Sequence, residues 1–261
     1  PGAASTRPWR PAALPLHPSA APGALPRPMG YWARIGPGSP DEARFDAMKR
    51  KVLASAQFAE QAAAVMVEAL AQRLEHQAEV SLALSGGRTP WPAFRRLAEA
   101  AIDWPRVHVY QVDERIAPAG DRARNLTGLE ETLLEKVPAV VHPMPVEAAD
   151  LQEAAAAYAR QLPPALDLVH LGLGDDGHTA SLVPGDPILT VRDRRVALTQ
   201  SYGGHRRMTL TYPSLDAAQM LLWLVSGAEK AEMARRLYEG DRSIPAGRVA
   251  RERAVLAIEE E

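Results

Sequence analysis

Residues 80–90, with the sequence VSLALSGGRTP, join a short apolar run to a glycine-containing turn and then to the start of a helical pattern. A run of this length that ends in turn residues is typical of a buried strand. Comparable runs recur at residues 107–112, 166–171, 195–199, 208–211 and 220–225, and helical patterns lie between several of them, at 92–101, 126–136, 150–161 and 230–238. Strands that alternate with helices predict an α/β fold, with an open, mainly parallel sheet and helices on both faces.

Two further segments precede this alternation. Residues 41–77 are rich in Ala, Glu, Gln, Lys and Leu, with apolar residues at roughly helical spacing, and they predict one long amphipathic helix. Residues 1–40 hold ten prolines among Ala and Gly, and their apolar side chains are too few to offset the entropy lost on ordering. The sequence therefore predicts a flexible tail at 1–40 and a single domain at 41–261.

Composition and charge exclude several classes of function. The chain has 30 Lys plus Arg against 32 Asp plus Glu, and this near balance provides no overall basic surface for nucleic acid or an anionic membrane. It has no cysteine, which excludes disulfides, thiolate metal sites and cysteine nucleophiles. No apolar run approaches the ~18 residues that cross a bilayer, and the N-terminus lacks the apolar core of a secretory signal. We therefore expect a cytoplasmic chain, monomeric rather than oligomeric, that binds a small molecule.

The turn at 85–90 is the first candidate site, because ligands of open α/β sheets bind beyond the carboxyl ends of the strands. Its two glycines allow a tight backbone with exposed amides, and the helix start adds unpaired N–H groups and a positive dipole end. Ser85, Arg88 and Thr89 add two hydroxyls and a cation that suit a phosphate. No Gly-Lys-Ser/Thr follows, so this is not a Walker A loop. Taken alone, the hexapeptide is explained equally well as an ordinary strand-to-helix turn.

A second candidate follows the predicted strand at 107–112. Asp113, Glu114 and Arg115 place three charges where this strand ends. Clustered ionisable groups at a ligand crevice indicate a site, but a plain ion pair between one carboxylate and a neighbouring arginine is an equally good interpretation.

The third candidate is the glycine-rich segment 172–185, GLGDDGHTASLVPG, which follows the predicted strand at 166–171. It contains the spacing of a dinucleotide-binding fingerprint, but Pro184 and Gly185 leave no room for the helix that such a fingerprint requires. The segment instead presents the carboxylate of Asp176 and the imidazole of His178 from a backbone free to bend close to a ligand. Histidine is the side chain best suited to proton transfer near neutral pH, so His178 is the candidate base.

Together these motifs resemble the 6-phosphogluconolactonase family, whose relative glucosamine-6-phosphate deaminase is the nearest competitor. The match runs in order from about residue 47 to 259, through LSGGRTP (84–90), VDER (112–115), RN (124–125), GLGDDGHTASLVPG (172–185), RMTLT (207–211), SGAEKA (226–231) and IPAGRV (244–249). The resemblance implies a sugar-phosphate isomerase-like fold with three Rossmann-like layers, no metal, no cofactor, and a role in the oxidative pentose phosphate pathway.

In the family pattern, His178 takes a proton from the water that attacks the lactone carbonyl. Asp176 orients this region, and Arg115 contacts the substrate and the charge that develops on it. The substrate- and phosphate-binding residues that the resemblance implies are Ser85, Gly86, Gly87, Arg88, Thr89, Asp113, Asn125, Gly174, Arg207 and Lys230. Taken singly, Arg207 and Lys230 are typical of solvated surface charges.

Two features of the sequence bear on the alternatives. Residues 201–205, SYGGH, stand where the family often has a Lys-Pro-Pro segment, so one cation on the substrate side is absent or replaced by Arg206. Deaminases typically carry Ile-Ala-Phe-Asn-Glu after the histidine, and this chain has no glutamate at that place. A deaminase-like isomerase is therefore the second hypothesis. The third is a non-catalytic phosphosugar sensor, but such sensors usually carry a helix-turn-helix, which the Pro-rich N-terminal segment does not provide.

Overall fold

The structure is a computed structural model that describes residues 48–260. Residues 1–47, including the predicted tail at 1–40, and residue 261 lie outside the described residues, and the predicted domain boundary stays a prediction. The strands and helices follow in the order β1 (Met48–Leu53), α1 (Phe58–Leu74), β2 (Val80–Leu84), α2 (Pro90–Ala98), β3 (Val107–Gln111), β4 (Asp113–Arg115), α3 (Asn125–Leu129), β5 (Val140–His142), α4 (Leu151–Gln161), β6 (Leu168–Leu171), β7 (Val196–Leu198), β8 (Arg207–Leu210), α5 (Tyr212–Asp216), β9 (Leu221–Val225), α6 (Ala231–Glu239) and β10 (Ala254–Glu259).

Seven of these strands form one parallel sheet, in the order β1-β10-β9-β6-β2-β3-β5. The central strands β2, β6 and β9 are buried along their whole length, as parallel strands covered on both faces are. Neighbouring residues of β2 enter two different cores: Ala83 packs with residues of α4, α5 and α6, whereas Leu82 packs with residues of α1 and α2. The predicted α/β fold, with helices on both faces of an open parallel sheet, is confirmed.

A second, three-stranded sheet consists of β4, β8 and β7 in antiparallel order. The strands predicted at 195–199 and 208–211 are present as β7 and β8, but they belong to this small sheet rather than to the main one. A short apolar run specifies a strand without specifying its partner. Strand β4 begins two residues after β3 ends, and its Asp113 pairs with Thr209 of β8. The small sheet therefore lies at the carboxyl end of β3.

The single helix predicted at 41–77 is wrong. Met48–Leu53 forms strand β1, and the helix α1 spans only Phe58–Leu74; residues 41–47 lie outside the described part of the chain. β1 pairs in parallel with β10, from Met48 opposite Ala254 to Leu53 opposite Glu259. This long-range pairing overrides the helical preference of the lysines and arginine in the segment. The helix predicted at 126–136 is present as α3 followed by a π-helical turn, Glu130–Leu134.

Helix α2 covers His170 of β6, whose imidazole is fully buried against the ring of Phe94 at 5.2 Å between centroids. Burial lowers the pKa of His170 to about 3, and a contact with the backbone of Ser85 only partly opposes this. The unfolded chain, where the pKa is about 6.5, therefore binds a proton that the folded chain excludes. This contribution to stability is complete above pH 6.5 and is lost as the pH falls towards 3.

We expect His170→Leu to remove this acid sensitivity. Between pH 7 and pH 5 the free energy of unfolding of the wild type should fall relative to that of the variant by about 2 kcal/mol, since each pH unit corresponds to about 1.4 kcal/mol. Urea titrations at the two pH values measure the difference. His76→Leu is the control, because His76 is exposed. Parallel pH dependence of wild type and His170→Leu would contradict the prediction.

Candidate active site

The carboxyl ends of the central strands open into a cavity of about 870 Å³. Twelve of the residues that the sequence predicts for the site lie on its wall: Ser85, Gly86, Gly87, Arg88, Thr89, Asp113, Arg115, Asn125, Gly174, His178, Arg207 and Lys230. The remaining one, Asp176, contacts the wall residue His178. Arg206 is exposed and is not among the described residues of the wall, and its replacement of the missing cation of the Lys-Pro-Pro segment stays a prediction. None of the helices within residues 48–260 has the length and apolar character to span a membrane.

The loop at 85–89 connects β2 to the first turn of α2. The hydroxyl of Ser85 in this loop is buried and has no hydrogen-bond partner within the described structure. Gly86 lies so close to Asn125 that an added Cβ would stand 2.0 Å from the Asn125 Oδ1 atom. The loop backbone thus abuts Asn125 directly. In the first turn of α2 only Trp91 and Ala93 carry amide hydrogens, because Pro90 and Pro92 have none.

Arg207, at the start of β8, brings a cation to the same cavity. It is only 7% exposed, so the expectation of a solvated surface charge is wrong for this residue. Its Nη2 donates to the carbonyl of Tyr202 at 3.3 Å, while its Nε is buried without a partner. Burial lowers the pKa of Arg207, and the nearby carboxylate of Asp113 opposes this effect. Of the buried side-chain polar atoms without a partner among the described residues, the Arg207 Nε and the Ser85 hydroxyl are those on residues of the cavity wall, where a bound anion would complete them.

Lys230 adds a third cation on the wall, after strand β9. Its ammonium pairs with the carboxylate of Asp175, and its side chain is 19% exposed. Together with Arg88 and Arg207, it gives the cavity wall three cations besides Arg115. This arrangement favours an anionic group on the ligand.

The segment after β6 forms turns and no helix, which confirms the rejection of the dinucleotide fingerprint. Asp176 and His178 are joined twice: the His178 amide donates to Asp176 Oδ1 at 3.0 Å, and the ring Nδ1 lies 2.5 Å from the same oxygen. Gly177 enables this turn with a φ of +78°, in the left-handed region that favours glycine.

The charge state of Asp176 determines the tautomer of His178. Partial burial alone would raise the pKa of Asp176, but hydrogen bonds from the amide and ring of His178 and from Tyr202 hold that pKa below its usual range. An ionised carboxylate only accepts hydrogen bonds, so the His178 Nδ1 carries the hydrogen. The Nε2 atom of His178 is then left with a lone pair that can accept a proton.

Arg115 and Asn125 are positioned by a buried carboxylate that sequence reasoning did not identify as a positioning group. Glu114 is fully buried, and its Oε1 accepts the amides of Arg115 at 2.8 Å and Asn125 at 2.7 Å. Its Oε2 accepts the amide of Leu126 and the side chain of Gln111. The alternative interpretation of this cluster as an ion pair also holds for Glu114, which lies 3.6 Å from the guanidinium of Arg124.

Asp113 is held from two sides on the cavity wall. Its carboxylate accepts the hydroxyl of Ser181 at 2.6 Å and the amide of Asn125 at 3.1 Å. Asn125 Oδ1 in turn accepts from Arg115 at 3.4 Å. These bonds connect β4 with α3 and with the segment that follows β6. Arg115, Asn125 and His178 therefore lie around one cavity. No group of three or more His, Asp or Glu side chains that could hold a metal ion occurs within residues 48–260.

Gly174 lies directly against the His178 ring and leaves no space there for a side chain. A Cβ added to Gly174 would stand 2.0 Å from the ring Nδ1, so Gly174→Ala must displace the imidazole from Asp176. We expect this variant to lose about 10²-fold in kcat for the activity of the site, because small misplacements of a catalytic group have effects of this size. Gly172→Ala is the matched control, since its Cβ would meet nothing within 4 Å. Equal turnover of the two variants would contradict the role given to the His178 ring.

Comparisons with known proteins agree with this geometry. The profile of the family described as glucosamine-6-phosphate isomerases/6-phosphogluconolactonase matches residues 54–257. A 6-phosphogluconolactonase from Synechocystis sp. is 36% identical over 186 residues, which cover 66% of this chain and 76% of that protein. One from Nostoc sp. is 35% identical over 170 residues, covering 60% of this chain and 70% of that protein.

A solved structure extends the comparison to the fold. The crystal structure of 6-phosphogluconolactonase from Thermotoga maritima superposes with a TM-score of 0.75 at 26% sequence identity, covering 82% of this chain and 100% of that one. The profile match spans most of the chain and includes the segments that build the cavity. This chain therefore belongs to the glucosamine-6-phosphate isomerase/6-phosphogluconolactonase family.

Proposed function

We propose that this chain hydrolyses 6-phospho-D-glucono-1,5-lactone to 6-phosphogluconate, as a 6-phosphogluconolactonase of the oxidative pentose phosphate pathway. The observation that carries the proposal is the pairing of His178 with Asp176 beside a cavity that the cations Arg88, Arg207 and Lys230 also line. A base and an anion site in one cavity are what a phosphorylated ester requires. The relatives from Synechocystis and Nostoc carry this activity in their names.

The phosphate group anchors the substrate in the cavity. It is bound by the loop at 85–89, by the N-terminus of α2 and by the cations Arg88, Arg207 and Lys230. It accepts hydrogen bonds from the Ser85 hydroxyl and the Arg207 Nε, which have no other partner among the described residues. Because the phosphate is remote from the reacting carbon, its binding energy is used to orient the lactone carbonyl towards His178.

Hydrolysis then proceeds in two steps. The Nε2 of His178 takes a proton from water as the water oxygen bonds to the lactone carbonyl carbon, and Asp176 stabilises the imidazolium. Arg115 stabilises the negative charge that forms on the carbonyl oxygen. The C–O bond to the ring oxygen then breaks, and that oxygen receives the proton from His178 to leave as a hydroxyl. A lactone is an activated ester, so these groups suffice without a covalent nucleophile, a metal or a cofactor.

The deaminase alternative lacks its characteristic glutamate in the segment after His178. Deaminases typically carry a glutamate five residues after the histidine, where this chain has Val183, which is 3% exposed in the core. Val183 can neither give nor take a proton. The neighbouring hydroxyl of Ser181 is occupied by Asp113.

A comparison of substrates tests the proposal. The purified chain is given 6-phosphogluconolactone, unphosphorylated gluconolactone and glucosamine 6-phosphate, and the release of acid and of ammonia is followed. We expect acid from the phosphorylated lactone, a much lower kcat/KM for the unphosphorylated lactone, and no ammonia. Ammonia release without acid would move the assignment to the deaminase, and binding of the phosphosugars without turnover would favour a sensor. Gel filtration in the same buffer tests the predicted monomer.

A further inference from the structure

The hairpin between β7 and β8 carries a side chain whose role the motifs do not assign. Tyr202 and His205 face each other in an isolated antiparallel bridge, with the Tyr202 amide donating to the His205 carbonyl at 2.9 Å. Gly203 and Gly204 connect them with φ values of +59° and +84°. Two successive positive φ angles form a tight turn that suits the twist of a hairpin. This turn brings Tyr202 back over the end of the loop that holds His178.

Tyr202 contacts both members of the candidate acid/base pair. Its hydroxyl donates to Asp176 Oδ2 at 3.0 Å, whereas His178 uses the other oxygen, Oδ1. The Tyr202 ring packs edge-to-face on the His178 ring at 5.4 Å between centroids. The two carboxylate oxygens of Asp176 are thus held separately, one by Tyr202 and one by His178.

The same ring is anchored to the anion-binding side of the cavity. The guanidinium of Arg207 lies 5.1 Å above the Tyr202 ring, and Arg207 also donates to the Tyr202 carbonyl. Burial raises the pKa of Tyr202, Asp176 and the neighbouring Asp175 add to this rise, and Arg207 opposes it, so the hydroxyl remains a neutral donor. Tyr202 therefore connects Arg207, which faces the ligand anion, with Asp176, which orients the base.

We infer that Tyr202 is a positioning residue, which holds the Asp176 carboxylate so that His178 keeps its Nδ1–H tautomer and presents Nε2 to water. The inference rests on the proposed function and assigns a role to the SYGGH segment in which this chain departs from the family pattern. Tyr202 is not itself on the described cavity wall, so it acts through Asp176 rather than on the substrate.

Two substitutions separate the roles of the hydroxyl and the ring. Tyr202→Phe removes only the bond to Asp176, and we expect kcat to fall about three- to tenfold, as loss of one ordinary hydrogen bond does, with KM within about twofold. Tyr202→Leu also removes the support of Arg207, so it should raise KM in addition. Tyr110→Phe is the control, because its hydroxyl donates to the Gln161 carbonyl at 3.3 Å, outside the cavity wall.

A measurement that needs no activity completes the test. The ¹⁵N NMR signals of the His178 ring, at a pH where it is neutral, should indicate the Nδ1–H tautomer in the wild type. In Tyr202→Phe, Asp176 Oδ2 has lost its bond to Tyr202 and the carboxylate can turn away from Nδ1, so the signals should indicate a mixture of tautomers. Unchanged tautomer populations in Tyr202→Phe would overturn the inference. A fall in kcat that comes with a marked fall in the melting temperature would also overturn it, because a general loss of structure would then explain the effect. If the wild type fails to hydrolyse the lactone, the proposed function is wrong, but the tautomer comparison still decides the role of Tyr202.

Discussion

His178→Ala should lose about 10²- to 10⁴-fold in kcat for lactone hydrolysis, the usual contribution of a positioned general base. The side chain is partly exposed, and within residues 48–260 its ring bonds only to Asp176, which is itself partly exposed, so its removal leaves no fully buried group of this part of the chain unpaired. The fold and the phosphate site should therefore persist, with KM and the melting temperature close to those of the wild type.

Initial rates and thermal melts of the same preparations provide this measurement. His76→Ala, at an exposed position remote from the motifs, is the matched control and should retain full turnover. A His178→Ala enzyme with undiminished kcat would end the assignment of His178 as the base, while one that is unfolded would mean that the ring has a structural role.

Glu114→Gln has the largest expected effect on stability. Both oxygens of Glu114 accept backbone amides, so a glutamine in either orientation places an NH₂ group against an N–H donor. It also leaves the buried guanidinium of Arg124 without its buried counter-charge. Breaking a buried pair from one side costs about 3–5 kcal/mol, which in a domain of this size lowers the melting temperature by roughly 6–20 °C.

The control for this variant involves the same arginine. Arg124 also pairs with Glu147, whose side chain is 54% exposed. Glu147→Gln should cost only about 1 kcal/mol, because water solvates this carboxylate and Arg124 keeps its buried partner Glu114. Calorimetric melts of both variants distinguish the two pairs. Similar melting temperatures would mean that Glu114 does not hold the loop that carries Arg115 and Asn125.

The parts of the fold predicted from sequence are those with strong local signals. The run at 80–84 is short, apolar and followed by glycines, and it forms the buried strand β2 with its turn at the cavity. The pairing of β1 with β10 has no such signal, because Met48–Leu53 is rich in lysine and arginine and becomes a strand only through contact with a distant segment. Membership of β7 and β8 in a separate sheet depends likewise on partners that periodicity does not reveal.

The candidate site divides in the same way. Glycine-rich turns after strands indicated the loop at 85–90 and the segment that carries Asp176 and His178, since both lie at the carboxyl edge of one sheet. Glu114 was visible as a charge, but its role in positioning Arg115 and Asn125 depends on a fold that buries it completely. The contact between Tyr202 and Asp176 required the tight turn at Gly203 and Gly204. Two glycines between apolar runs are a hairpin signal that, in retrospect, could have located it.

The central claim is that the cavity hydrolyses a phosphorylated lactone with His178 as the base and without a metal. The most direct test is the rate of acid release from freshly prepared 6-phosphogluconolactone at neutral pH, with and without a chelator, against the spontaneous background. We expect a large, saturable acceleration that the chelator leaves unchanged. A rate equal to the background, or an acceleration that the chelator abolishes and added metal restores, would contradict it.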